Sequence, residues 1–231
     1  MFIAGLQKLS LVDYPSKMCC TVFTYGCNLR CPFCHNGSLV VPGERPDGIS
    51  EDEFFSFLKK RSGVLDAVCV SGGEPLLQND IELFIRKIRA LNYSVKLDTN
   101  GCFPEKLAQL ISEGLVDYIA MDIKNSPELY PETVGIQGFD ISPVIMSISL
   151  IMNSGLPYEF RTTVTGELHG ERSFAGIAGL INGAEHYYLQ RYRDSGDVIN
   201  PVFSEPTPDD MRRYAASVAP FVSSVALRGV D

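Results

Sequence analysis

Three cysteines fall within eight residues, Cys27-Asn-Leu-Arg-Cys31-Pro-Phe-Cys34. Spacing this tight does not suit disulfides among them, but it suits thiolates converging on metal. Iron–sulfur clusters are usually held by four cysteine thiolates, so a set of three leaves one metal position open. An open position separates a reactive metal centre from a structural one. Zinc is the competing chemistry, because Cys-x-x-Cys is also a zinc spacing and His35 follows directly. Adjacent residues such as Cys34 and His35 reach one ion together only with strain, however, and no further ligand pair lies nearby. A reactive iron–sulfur centre is therefore the leading expectation, with a structural zinc or electron-transfer module as the non-enzymatic alternative.

Other residues able to do chemistry recur where short apolar runs end. Gly72-Gly73-Glu74-Pro75 follows one run, Asp98-Thr99-Asn100-Gly101 the next, and Asp122-Ile123-Lys124 the one after. Arg161 lies within a β-rich run, and Gln190 closes another. Each has a bland reading as turn chemistry or as a surface pair. Two glycines also let a ligand approach the backbone closely, and a carboxylate beside them can receive an ammonium group. Arginine suits bidentate capture of a carboxylate. Cys19, Cys20, Cys69 and Cys102 read as small buried hydrophobes, and His169 and His186 carry no motif.

The elements that must position these residues alternate between strand and helix. Strands are predicted at 18–25, 67–71, 94–97, 118–123, 158–164 and 187–190, with a final one at 222–227. Ser50-Glu51-Asp52-Glu53 reads as a capping box opening a helix to about residue 60. Ile81, Phe84, Ile85, Ile88 and Leu91 repeat at helical spacing. Further helices are predicted from Pro104 to Gly114, over 141–154, over 171–182 and from Thr207. Such alternation means parallel strands covered by helices. A full eightfold barrel takes about 250 residues; this chain has 231 and too few strands to close one. The expected fold is therefore α/β, a partial, open-sided barrel of six βα units spanning 1–231 as a single domain. Chemistry in such folds sits at the C-terminal ends of strands, which is where the polar motifs fall.

Composition sets the boundaries. At 45% hydrophobic and 21% charged residues the chain is an ordinary globular one. No apolar run approaches the ~18 residues of a membrane span, and no signal peptide is read at the start. Seven cysteines, an odd number, point to a reducing cytoplasm rather than a disulfide scaffold. A net charge of −8 argues against nucleic acid as a partner.

The Cys-x-x-x-Cys-x-x-Cys spacing, the aromatic residue before its last cysteine and the Gly-Gly-Glu-Pro after the next strand resemble the radical S-adenosylmethionine superfamily. The head segment Gly5-Leu6-Gln7-Lys8-Leu9-Ser10-Leu11-Val12-Asp13-Tyr14-Pro15 and Cys34-His35-Asn36 look like the activating proteins of anaerobic ribonucleoside-triphosphate reductase. Pyruvate formate-lyase activating enzymes share the core. The resemblance implies that Cys27, Cys31 and Cys34 hold three irons of a 4Fe–4S cluster whose fourth iron chelates S-adenosylmethionine. It implies Phe33 near the adenine and Gly72, Gly73 and Glu74 at the methionine amino group. Asn100, Asp122 and Lys124 would contact ribose and carboxylate, and Arg161 the carboxylate. Asp98, Thr99 and Asp122 would fit a monovalent cation site of related activases.

A cluster that injects an electron into a sulfonium needs a potential at the low end of the iron–sulfur range, roughly −700 to +450 mV. No general acid or base is then required, which matches the lack of an evident catalytic His or carboxylate dyad. The implied substrate is a glycine α-hydrogen of a glycyl-radical enzyme, with a flavodoxin or ferredoxin as electron donor. Alternatives are activation of another glycyl-radical enzyme such as pyruvate formate-lyase, or a small-molecule enzyme related to 7-carboxy-7-deazaguanine synthase. The Pro- and Gly-containing stretch 125–139 is expected to be a mobile loop facing the partner.

Overall fold

The computed structural model describes residues 1–41 and 47–230. Eight strands form one sheet in the linear order of the chain: β1 Ile3–Ser10, β2 Cys19–Thr24, β3 Ala67–Gly72, β4 Ser94–Thr99, β5 Tyr118–Asp122, β6 Tyr158–Val164, β7 His186–Arg191 and β8 Ser224–Arg228. From β2 to β8 every neighbouring pair is parallel. The helices between them are α1 Gly37–Val40, α2 Glu51–Lys60, α3 Ile81–Arg89, α4 Pro104–Ser112, α5 Tyr130–Thr133, α6 Ser142–Met152, α7 Glu171–Leu180 and α8 Pro208–Val218. The expected open α/β barrel is thus present, with the six parallel strands and the final one where the sequence put them. Three elements are additional: the four-residue helices α1 and α5, and β1, which pairs antiparallel with β2 at the edge.

Local chemistry explains the boundaries. The Ser50 hydroxyl accepts the Glu53 amide at 3.2 Å, and the Glu53 carboxylate accepts the Ser50 amide at 2.9 Å, a complete capping box for α2. Thr207 and Asp210 do the same for α8. Strands divide their residues by parity. On β6, Tyr158, Phe160, Thr162 and Val164 are buried, the first, second and fourth in the main apolar core, whereas Glu159, Arg161 and Thr163 take the opposite face. That face carries charge: Glu159 is 2% exposed and Lys96, on β4, 1%. The concave side of the sheet is therefore a polar lumen, and its ion pairs lie under the strand ends. Among the described residues no helix is long and apolar enough to cross a membrane.

The stretch 125–139 departs from expectation. Asn125, Ser126, Tyr130 and Thr133 are fully buried. The Asn125 amide donates to Thr133 Oγ1 at 2.8 Å and to the Leu168 carbonyl at 2.9 Å. Its far end takes the Arg30 amide on the Val134 carbonyl at 2.9 Å. A side-chain amide supplies the hydrogen bonds that regular structure would have supplied, so residues 125–134 pack as a wall beside the cysteine loop, while Gly135, Gln137 and Gly138 lie exposed at the tip.

Candidate active site

A cavity of about 400 Å3 opens at the C-terminal ends of the strands. Cys27, Cys31, Phe33, Cys34, Gly72, Gly73, Glu74, Asn100, Asp122, Lys124 and Arg161 all line it, so the structure brings together every site residue read from the sequence. Asp13, His35, Asp98, Thr163 and Gln190 also face it.

The cysteine loop is held at both ends by backbone. Gly26 turns at φ +89° and donates its amide to the Leu39 carbonyl at 2.8 Å. The Gly73 and Glu74 amides donate to the Thr24 and Gly26 carbonyls at 3.0 and 2.9 Å. A Cβ on Gly73 would lie 2.0 Å from the Gly26 oxygen, and one on Gly72 2.2 Å from the Thr24 nitrogen. The two glycines therefore admit the backbone that leads into the cysteines. Cys27 Sγ accepts the Leu29 amide at 3.4 Å and the Asn100 side-chain amide at 3.7 Å.

Glu74 is fully buried, and its carboxylate is engaged by protein. It accepts the Leu76 amide at 3.0 Å, the Thr99 hydroxyl at 2.9 Å and the Asn100 amide at 2.7 Å. Burial pushes its carboxyl up to about 7 despite those three donors. Beside it, the Asp122 carboxylate takes the Arg161 guanidinium and the Lys124 ammonium, each at 2.9 Å. Burial opposes ionisation of Asp122, but Arg161 and then Lys124 outweigh it and hold the carboxyl below its usual range. Asp98 pairs with Lys96 and lies 3.6 Å from Arg161.

His169 carried no sequence signal, yet it braces the site. Nε2 lies 2.9 Å from the Lys124 carbonyl, and Nδ1 accepts the Thr165 amide at 3.1 Å, which fixes the neutral Nε2–H tautomer. Burial lowers its pKa to about 4. Its ring meets the edge of Phe33, 6.1 Å between centroids, and so fixes that aromatic under the cavity. A lone histidine with no motif around it has nothing in the sequence to betray this contact.

The three thiols line one cavity, as a cluster ligated by separate thiolates requires. Among the described residues no three His, Cys, Asp or Glu side chains converge as closely as one metal ion needs. A cluster gives each thiolate its own iron and so spreads the sulfurs more widely. The N–H donors aimed at Cys27 suit a sulfur that must carry negative charge. His35 stacks on Tyr192, with centroids 5.3 Å apart.

The model of the Radical SAM superfamily matches residues 21–172, about two thirds of the chain. The chain is 31% identical over 235 residues to the "Putative glycyl-radical enzyme activating enzyme MJ1227" of Methanocaldococcus jannaschii, covering 99% of this chain and 96% of that one. It is 34% identical over 139 residues to the pyruvate formate-lyase-activating enzyme of Listeria monocytogenes, 54% of each chain. Among solved structures, Streptococcus suis SuiB bound to S-adenosylmethionine superposes with a TM-score of 0.68 at 14% identity. That match covers 90% of this chain and 52% of SuiB, and it speaks to the fold alone.

Proposed function

This chain belongs to the radical SAM superfamily and is a radical SAM enzyme, and we propose that it activates anaerobic ribonucleoside-triphosphate reductase by making a glycyl radical in it. The superfamily works with a 4Fe–4S cluster and S-adenosylmethionine. The observation that carries the reading is the meeting of Cys27, Cys31 and Cys34 with the ends of β3 to β6 around one cavity. Near full-length similarity to a protein named for glycyl-radical enzyme activation supports an activase. The head segment and Cys34-His35-Asn36 favour the reductase as its target.

In this reading the three cysteines hold the cluster, and S-adenosylmethionine lies along the strand ends. Bound together, the two supply one-electron cleavage of a sulfonium and abstraction of a hydrogen atom. The protein supplies placement. Phe33, fixed by His169 and Phe203, offers an apolar face to the adenine. Gly72, Gly73 and Glu74 border the amino group, with Glu74 bracing the adjoining turn. Asn100 and Asp122 border the ribose, while Lys124 and Arg161 present positive charge to the carboxylate. Burial of these pairs keeps water out, which strengthens each charge interaction. A flavodoxin or ferredoxin delivers the electron, and the whole chain acts as one domain.

Anaerobic reconstitution with iron and sulfide, then S-adenosylmethionine and dithionite, should give methionine and 5′-deoxyadenosine. Mixing with the reductase should give a glycyl doublet by electron paramagnetic resonance. A doublet with pyruvate formate-lyase instead would move the assignment to that partner, and absence of cofactor cleavage would overturn it.

A further inference from the structure

Thr163 and Gln190 stand side by side in register on β6 and β7, two residues nearer the cavity mouth than Arg161 and Tyr188. Both line the cavity, and neither side chain has a hydrogen-bond partner among the described residues. The placement of cluster and cofactor above uses neither. Two polar side chains facing a cavity with all their donors and acceptors free are equipped for a ligand.

The charge around them says which kind. Lys124 is taken by Asp122, and Arg161 by Asp122 and Asp98. Arg228, in register with Gln190 on β8, turns away onto Glu159 with bonds of 3.1 and 2.8 Å. Its guanidinium also covers the Tyr188 ring at 3.7 Å. The wall carrying Thr163 and Gln190 is thus neutral. A nucleotide would bring several phosphate charges to a cavity where Lys124 and Arg161 are already shared between Asp122, Asp98 and the cofactor carboxylate. A main-chain amide, with one N–H and one C=O, matches a carboxamide and a hydroxyl group for group. Around a glycine the main chain is also all that a protein segment offers, since there is no side chain.

We infer that Gln190, assisted by Thr163, binds the main chain of the partner segment beside its target glycine. The inference rests on the activase reading. The test uses a capped peptide spanning the glycine segment of the reductase from the same genome, dideuterated at the glycine α-carbon. Deuterium transfer into 5′-deoxyadenosine is followed for the reconstituted native chain and for Gln190→Ala, Gln190→Glu and Thr163→Val. Gln190→Ala should raise KM for the peptide about tenfold, the loss expected for a neutral hydrogen-bonded pair, while KM for S-adenosylmethionine rises far less. Gln190→Glu keeps an acceptor and should fall between. Thr163→Val, nearly isosteric, should raise peptide KM more weakly, and it decides the matter if Gln190→Ala loses its cluster. Peptide KM unchanged in Gln190→Ala and Thr163→Val, or both KM values rising in step, would overturn the inference and leave the activase reading intact. No deuterium transfer by the native chain would overturn that reading and the inference with it.

Discussion

The Glu74 carboxylate accepts the Asn100 amide at 2.7 Å, tying the loop after β3 to the turn after β4 across the cavity floor. With Leu76 and Thr99 also donating to it, Glu74 fixes two of the loops that border the cysteines. Glu74→Ala strands two buried amides, each costing about 1–3 kcal/mol. A loss on the order of 4 kcal/mol in urea unfolding is expected.

The same carboxyl predicts a pH dependence. Its folded pKa of about 7 exceeds the ordinary 4.5, so the folded state binds the proton more tightly than the unfolded one. Its contribution to stability is full below about pH 4.5 and is lost as pH rises through 7, on the order of 3 kcal/mol in total. His169, held neutral with its pKa lowered to about 4, acts in the opposite sense between pH 4 and 6.5. Comparison with Glu74→Gln cancels the histidine. The native-minus-variant stability should decline from pH 5 to 7.5; a flat difference would contradict it.

The glycines of the second motif answer to backbone crowding. Gly73→Ala puts a methyl 2.0 Å from the Gly26 oxygen, with main chain on both sides. Destabilisation on the order of 4 kcal/mol is expected, with loss of the visible iron–sulfur absorption after reconstitution. Gly179→Ala, in α7 with open space around its Cβ position, should instead gain about 0.5–1 kcal/mol. Equal behaviour of the two variants would refute the crowding argument.

Much of this site was legible in sequence, because parallel strands deliver their chemistry at one end. Glu74, Asn100 and Asp122 stand where apolar runs close, Cys27 is marked by the spacing of the cysteine trio, and Arg161 by being a charge inside a β-rich run. What escaped had no period or spacing to report it. Strand β1 lies at an edge, with exposed residues at Gln7, Lys8 and Leu9, so no alternating pattern marks it. His169 acts through a main-chain carbonyl 45 residues away. The 125–139 stretch looks like a loop by composition, and only the three-dimensional reach of Asn125 to Leu168 ties its first part into the fold.

Arg161 and Asp122 form a buried pair whose partners cannot be removed singly without cost. Arg161→Met leaves Asp122 to Lys124 alone and deprives Asp98 of a cation 3.6 Å away. Each single change, Arg161→Met or Asp122→Asn, is expected to cost about 3–5 kcal/mol. The double variant should cost less than the sum by about 1–3 kcal/mol. Additive losses in denaturant unfolding would mean that the two side chains do not interact as drawn.

Asn100 bears on the cluster through Cys27, donating its side-chain amide to Sγ at 3.7 Å and to Asn28 Oδ1 at 2.9 Å. Hydrogen bonds to cluster sulfurs favour the reduced, more negative state and so raise the potential. A contribution of about 1 kcal/mol corresponds to a shift on the order of 40 mV for one electron. Asn100→Ala should therefore lower the midpoint by that amount in spectroelectrochemical titration, and Asn100→Asp should lower it further by adding a negative charge. Asn28→Ala removes the second contact, and with it an oxygen 3.9 Å from Cys27 Sγ, but leaves the amide donor to sulfur, so it should not lower the midpoint. If Asn28→Ala and Asn100→Ala shift it equally, displacement of the loop is responsible and the hydrogen bond to Cys27 is not.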